Sequence, residues 1–407
     1  MVPMTDIHDI VIVGGGLVGS SLAIALHATD LRVALVEAAA PRVDAQPSYD
    51  ERNLALARAS INALEALDVW QAVGARATPI RRIHASRRGD FGSVRFVAAD
   101  LGLADFGAVL PASELGRALL ARLEACTKLT RIAPAQLVGI EPHTDHVGLH
   151  LRTSDGARQL PTRLLVGADG TASFVREHHG IGTQRTDYAQ SAFVTTLTTG
   201  RALDGLAFER FTDSGPVALL PLGRERAGLV LSVPAAEVAR VAALDDAQFI
   251  AFVHERFGWR AGRLSRPGVR RPYPLARVIA ERLTAPRMVL VGNAAQTIHP
   301  LGAQGFNLGL RDALSLSELL EQAARAGHDP GDPALLAAHV QRRTPDRDAT
   351  TAFSDDLVRL MGNGFAPLGW LRTLGFGVLD RVAPLKRQVA LRGMGFRGDV
   401  AQRALNR

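Results

Sequence analysis

The chain has 407 residues, of which 47% are hydrophobic, 21% charged and only 5% aromatic; it is too long for one ordinary core and too apolar to be largely disordered. A single cysteine, Cys126, excludes an internal disulfide or a cysteine-based zinc site and fits a reducing compartment. The formal charge of +7 is concentrated at one end, where residues 371–407 carry eight basic and two acidic side chains, a basic tail and not the stripe of a nucleic-acid binder.

Residues 10–28 contain no Asp, Glu, Lys or Arg, a run long enough to suggest a membrane span. Asp6 and Asp9 precede it, no Lys or Arg does, and three consecutive glycines interrupt it. It therefore reads as a buried strand, a tight turn and a helix, with no signal peptide. A strand over 9–13, a helix over 17–27 and a second apolar strand over 31–37 make a βαβ unit. An amphipathic helix follows over 115–126, then strands over 147–152 and 163–166. Between about 184 and 275 the texture changes to short β-like runs (191–199, 208–211, 217–222, 228–233) that end at Gly or Pro. Helical spacing returns over 245–257. A buried strand over 287–291 leads through a glycine-rich loop into a helix over about 307–326, and 346–407 is mostly helical.

Gly14-Gly15-Gly16-Leu17-Val18-Gly19 is a G-x-G-x-x-G between strand and helix. The helix N-terminus offers unpaired N–H groups and a partial positive charge, so a pyrophosphate is stabilised where glycine lets the backbone approach. Glu37 ends the next strand, where a carboxylate accepts hydrogen bonds from a ribose 2′-hydroxyl and repels a 2′-phosphate. The motif itself fits FAD and NAD equally. A second turn, Gly167-Ala168-Asp169-Gly170, closes a strand. A third, Gly292-Asn293-Ala294-Ala295-Gln296-Thr297-Ile298-His299-Pro300, runs on through Gly302 and Gly305 to a helix start. Two helix-start loops on one nucleotide domain suit a long ligand with a pyrophosphate at one end and a flavin ring at the other.

In this order, an N-terminal G-x-G-x-x-G, a middle D-G and a late Gly-Asn turn running on through Pro300 to Gly302 and Gly305, the chain resembles the class A FAD-dependent aromatic monooxygenases, the group of para-hydroxybenzoate hydroxylase. The resemblance reaches to about residue 345. Within that group it is most similar to the ubiquinone-biosynthesis hydroxylases. Asp50-Glu51-Arg52-Asn53-Leu54-Ala55-Leu56, Phe208-Glu209-Arg210-Phe211-Thr212, Phe257-Gly258-Trp259-Arg260, Tyr273-Pro274-Leu275 and Gln341-Arg342-Arg343 carry that likeness. Asn293 and Gln296 stand where most relatives have Asp and His, a pair that looks like the 2-polyprenyl-6-methoxyphenol hydroxylase branch.

The resemblance implies an α/β fold: a Rossmann-like FAD-binding domain (1–78, 107–183 and 276–345), an inserted β-sheet substrate domain (79–106 and 184–275) and a C-terminal helical, basic tail (346–407). It implies FAD on Gly14, Gly16, Leu17, Val18, Gly19 and Glu37, with Arg52, Asp169 and Asn293 along the ribityl and phosphate portions. The backbone of Gly305, Phe306 and Asn307 would face the pyrimidine edge of the ring. The implied activity is hydroxylation of a polyprenyl-methoxyphenol through a C4a-hydroperoxyflavin, with O2 as oxidant and NAD(P)H as transient electron donor. No second G-x-G-x-x-G provides a nicotinamide domain. Pro300 would approach the phenol, and His299, whose ordinary pKa lies near neutrality, is the candidate to polarise the phenolic hydroxyl. Tyr49, Tyr188 and Tyr273 are the tyrosines of the chain, with Tyr273 the candidate substrate contact. Two alternatives stay open: a hydroxylase of another soluble or polyprenyl phenol, and a non-catalytic assembly subunit of the ubiquinone pathway. A polyprenyl substrate places the enzyme in the cytoplasm or on the inner face of the membrane, its tail touching lipid or other ubiquinone-pathway proteins.

Overall fold

The computed structural model describes residues 7–40, 50, 52–362, 366–396 and 400–405; Tyr49 and Glu51 lie outside them. Five parallel strands form the heart of the first sheet, in the order Met288–Leu290, Gly156–Gly167, His8–Val13, Val33–Val36, Thr130–Ile132. Ile10 and Ile12 enter one core and Val11 and Val13 another, which is why the central strand reads as an unbroken apolar run. The helices Leu17–Leu26 and Gln304–Arg325 share the first of these cores.

The second sheet has eight strands, drawn from 82–97, 183–280 and 296–297. One face is largely apolar: Phe193, Phe208, Val217, Leu219, Leu229 and Leu231 pack with Phe249 and Phe257 of the helix Asp246–Phe257. A capping box of Asp245 and Gln248 starts that helix. A small sheet of Asn53–Ala57, Gly107–Pro111 and Thr78–Pro79 links the large ones, with Leu56 and Leu110 in the nucleotide-domain core and Val109 in a cluster under the second sheet. The helices Pro333–Gly362, Ala366–Arg381 and Ala383–Gly393 follow. Among the described residues no helix is long and apolar enough to cross a membrane, and no cluster could hold a metal ion.

Several boundaries differ from the sequence reading, among them three near the site. The late helix starts at Gln304 and not at 307, because Gly302 reverses the chain with φ +64° just before it. The amphipathic helix spans Ala112–Glu124. The strand expected over 191–199 begins at Thr183 and passes an irregularity between Asp187 and Gln190, where Ala189 has φ +51°.

One contact sets the spacing of the nucleotide domain. An added Cβ on Gly309 would lie 2.8 Å from Val18 Cγ2 and 3.0 Å from Gly292 Cα, and one on Gly292 would lie 3.2 Å from Val18. The first helix, the Gly292 turn and the late helix thus meet at a distance that only glycine allows. Gly309→Ala should lower stability by about 1–3 kcal/mol through overpacking, read as a fall in unfolding midpoint; an unchanged midpoint would mean that the three elements have slack.

Candidate functional site

Four parallel strands end on one edge of the first sheet, and each delivers a turn singled out by sequence: Gly14, Glu37, Ala168-Asp169 and Gly292-Asn293. The chain leaves the central strand for a neighbour on one side and later adds the neighbour on the other. Ligands of open α/β sheets bind in the crevice at such a reversal.

Gly14 takes φ +108°, and a Cβ there would sit 2.4 Å from the Ala168 carbonyl oxygen. Gly16 is the N-cap of Leu17–Leu26 and supplies no side-chain cap, so first-turn N–H groups are left for an anion. Leu17 is buried, Val18 is wedged between glycines, and Gly19 lies against the Gly14 carbonyl; each offers only its backbone. The Glu37 carboxylate accepts from the N–H groups of Gly15 and Ala39, which fixes it, and each oxygen keeps a second lone pair for a ribose hydroxyl.

Arg52 is exposed, 2.6 Å from Asp50, and its guanidinium lies 5.1 Å from the centre of the Tyr273 ring. This contact joins the nucleotide half to the second sheet. Asn293 is exposed at the turn Gly292–Ala294, and Gly305 and Phe306 open the helix Gln304–Arg325 with part of their surface free. The Asn307 side chain, by contrast, is turned inward. Its Oδ1 accepts from Ala57 N–H at 2.9 Å and its Nδ2 donates to the Ala55 carbonyl at 3.0 Å, pinning the helix start to the small sheet. Asp169 is also occupied: its carboxylate accepts from Ser173 Oγ at 2.5 Å and Val175 N–H at 3.1 Å, and burial raises it above the usual carboxylate range.

Pro300 is exposed, whereas His299 is 1% exposed. His299 Nδ1 accepts from Leu301 N–H at 3.1 Å, so the neutral ring carries its proton on Nε2, which has no partner. Burial lowers this histidine to about 4. The expectation of a near-neutral histidine is corrected: His299 is a neutral donor and a poor base. The bulge at Asp187–Gln190 aims Tyr188 at it, edge to face at 5.0 Å, and the Tyr188 hydroxyl donates to Asp355 at 3.1 Å. Burial and Asp355 push this phenol up to about 12.

Beneath the site runs a charge network that sequence reading left unassigned. Asp312 accepts from Arg343 at 2.8 Å and from the Gln296 amide at 2.5 Å, and Asp346 accepts from Arg343 at 2.7 Å and Arg311 at 2.8 Å. Burial opposes the charge on Asp346, yet the two arginines hold it below its usual range. Gln341-Arg342-Arg343 thus has a physical role: Arg343 fixes the carboxylate that holds the Gln296 loop.

The second sheet turns its other face to these loops, and there small side chains stand among a few large ones. Across it run Phe211–Pro216, Ser232–Ala192–Tyr273, Glu209–Ala218–Val230–Val194 and Leu220–Gly228. Val194, Leu220, Val230, Glu209 and Tyr273 keep accessible surface although they lie between layers, so a space remains under the sheet. Asn53 stands across from Gly228, with both ends of its buried amide unpartnered, as are Ser232 Oγ and Gln190 Oε1. Buried polar atoms without partners mark a place for a polar ligand.

The profile of the FAD binding domain family matches residues 8–354. The chain belongs to that family. Ubiquinone hydroxylase UbiL of Rhodospirillum rubrum is 37% identical over 389 residues, covering 96% of this chain and 90% of the relative. The 3-demethoxyubiquinol 3-hydroxylase of Escherichia coli K12 is 34% identical, covering 95% and 98%. The fold is similar to that of p-nitrophenol 4-monooxygenase PnpA from Pseudomonas putida DLL-E4, with a TM-score of 0.79, 18% identity and coverage of 97% and 99%.

The residues present fit FAD, the family's cofactor. The glycine turn closes against Ala168, one helix start would take a pyrophosphate, Glu37 would accept from a ribose, and a second helix start lies beyond the Pro300 loop. Because φ −68° and ψ −173° at Gly16 suit any residue, Gly16→Val tests the approach of the ligand and not backbone strain. The variant should fold, with an unchanged far-UV spectrum, and retain less than about a tenth of the wild-type FAD; full FAD content would place the pyrophosphate elsewhere.

Proposed function

We propose that this enzyme hydroxylates the ring of a polyprenyl-methoxyphenol on the way to ubiquinone. The observation that carries this reading is the pairing of a dinucleotide crevice with a sheet face that bears small residues and unpartnered polar atoms. Bound FAD supplies oxygen activation and transfer. The protein's own part is placement and exclusion of water. Leu17–Leu26 and Glu37 hold the AMP half, Arg52 and Asn293 the middle, and the backbone of 305–307 the ring edge, where helix N–H groups favour negative charge. NAD(P)H is the reductant in this reading, binding transiently without a domain of its own. The names of the relatives favour the ubiquinone pathway, and the Asn293/Gln296 pair favours the 6-methoxyphenol precursor. Deleting the gene in its host should make that precursor accumulate, identified by mass spectrometry. A different ring-deficient precursor would move the ring position, and normal quinone would remove the pathway.

The tail fits delivery of such a substrate from lipid. Phe376 and Met361 pack in one cluster with Phe211 and Leu301, closing the side of the substrate space. On its other side the helix Ala366–Arg381 exposes Trp370, Leu371, Leu374 and Val378, at 52–70% exposure, in helical register. Phe91, 79% exposed, sits on a hairpin that abuts the same helix. An apolar stripe beside Arg381, Arg387 and Arg392 suits an anionic membrane surface. Wild-type protein should sediment with phosphatidylglycerol-containing vesicles, and Trp370→Ser with Leu374→Ser should release it. Equal sedimentation of both proteins would exclude this face as the contact.

A further inference from the structure

Glu209 is the titratable side chain of the substrate space that no feature above employs. Its strand, Leu206–Thr212, sends Phe208 and Arg210 to one face of the sheet: Phe208 stacks on Phe257, and Arg210 donates to Ser86 and the Arg256 carbonyl. Ala207, Glu209 and Phe211 therefore point to the other. Ala207 and Phe211 join the cluster that holds Leu301, next to Pro300. Glu209 lies between them, with Ala218 and Ala85 as cross-strand neighbours. Both neighbours present only methyl groups beside it.

No described residue forms a hydrogen bond or ion pair with that carboxylate, and burial alone raises it, to about 7. Glu209 nevertheless keeps part of its surface accessible, on the face that lies between the layers. The charged groups around it are engaged elsewhere. Arg87, on the neighbouring strand, is paired with Asp90 and Asp213. Asp355, on the helix packed below, is held by Tyr188, Arg277 and Arg359. Of the groups near the Pro300 loop, His299 has its basic nitrogen occupied and Tyr188 has its hydroxyl committed.

We propose that Glu209 is the catalytic base of the hydroxylation, accepting the hydrogen bond of the substrate's phenolic hydroxyl and then its proton. The phenol O–H bond breaks and an O–H bond forms on a Glu209 oxygen. The electron pair stays on the phenolate oxygen, enriching the ring carbons ortho and para to it. No oxidant is consumed in this step. A carboxylate poised near neutrality in an enclosed apolar site suits the task better than an ordinary one, which would be too weak a base. The strand of Gly228, on which Asn53 rests, is two removed from that of Glu209, about 10 Å, far enough for an aromatic ring to lie between.

The inference rests on the phenol-hydroxylase reading, and the test separates them. The FAD-loaded enzyme is assayed with 2-geranyl-6-methoxyphenol. In Glu209→Gln the amide still accepts the hydrogen bond but cannot take the proton. Its KM should stay within a few-fold, its kcat should fall about 100-fold or more, and the acid limb of the wild-type pH profile should vanish. Glu209→Leu should bind the phenol no better than its methyl ether in equilibrium dialysis, whereas wild type should prefer the phenol about tenfold. FAD content equal to wild type shows that each variant is folded. A Glu209→Gln kcat within threefold of wild type with the acid limb unmoved, or a Glu209→Leu phenol preference equal to wild type, would overturn the role of Glu209. Wild-type enzyme that holds FAD yet neither binds nor hydroxylates the phenol would overturn the reading beneath it.

Discussion

Val18 occupies the volume that side chains at 292 and 309 would need, and the geometry of the site follows from that. The contact joins the first helix to a strand end and a helix encoded nearly 300 residues later. Because both partners are glycines, the two helix starts lie close enough for one elongated nucleotide to touch both. The buried Arg343–Asp312–Gln296 chain holds the same arrangement from below. Buried ion pairs seldom add stability over apolar packing, but removing one partner leaves an uncompensated charge at a cost of about 3–5 kcal/mol. The network therefore fixes where the loop sits more than how strongly the domain folds.

The second sheet divides its labour by face. Phe, Leu and Val against the helix Asp246–Phe257 give it a conventional core. Alanine, glycine, serine and valine on the opposite face withhold volume, and packing density elsewhere in a protein rarely permits that. Polar atoms stranded there cost stability until a ligand satisfies them. Both faces come from alternate residues of the same strands, so stability and substrate space are specified together.

Much of this was legible beforehand. The strand–glycine–helix signal at Gly14–Gly19, the acid at Glu37 and the late glycine loop are short-range patterns with local causes. What escaped depends on long-range packing. Asp169 reads as a turn residue, and only the fold shows that Ser173 and Val175 each donate to its carboxylate. Asn307 reads as part of a ligand loop, but its amide is spent on Ala55 and Ala57, 250 residues away. His299 looks like a near-neutral titrating group until burial is known. Glu209 sits in Phe-Glu-Arg-Phe, where the two aromatics fall on opposite faces of the strand, so periodicity alone could not say which side the carboxylate takes.

The ion pair between Asp90 and Arg372 bears on traffic through the enzyme. Both side chains are nearly buried, at 7% and 2% exposure, and Arg372 also donates to the Leu360 carbonyl. Swinging the tail helix away would break this ion pair and the Leu360 hydrogen bond, while Asp90 would keep Arg87. The helix is thus a fixed wall and not a door. For the polyprenyl substrate proposed above, the isoprenoid chain would thread past its rim, leaving its hydrophobic end outside while the ring sits within.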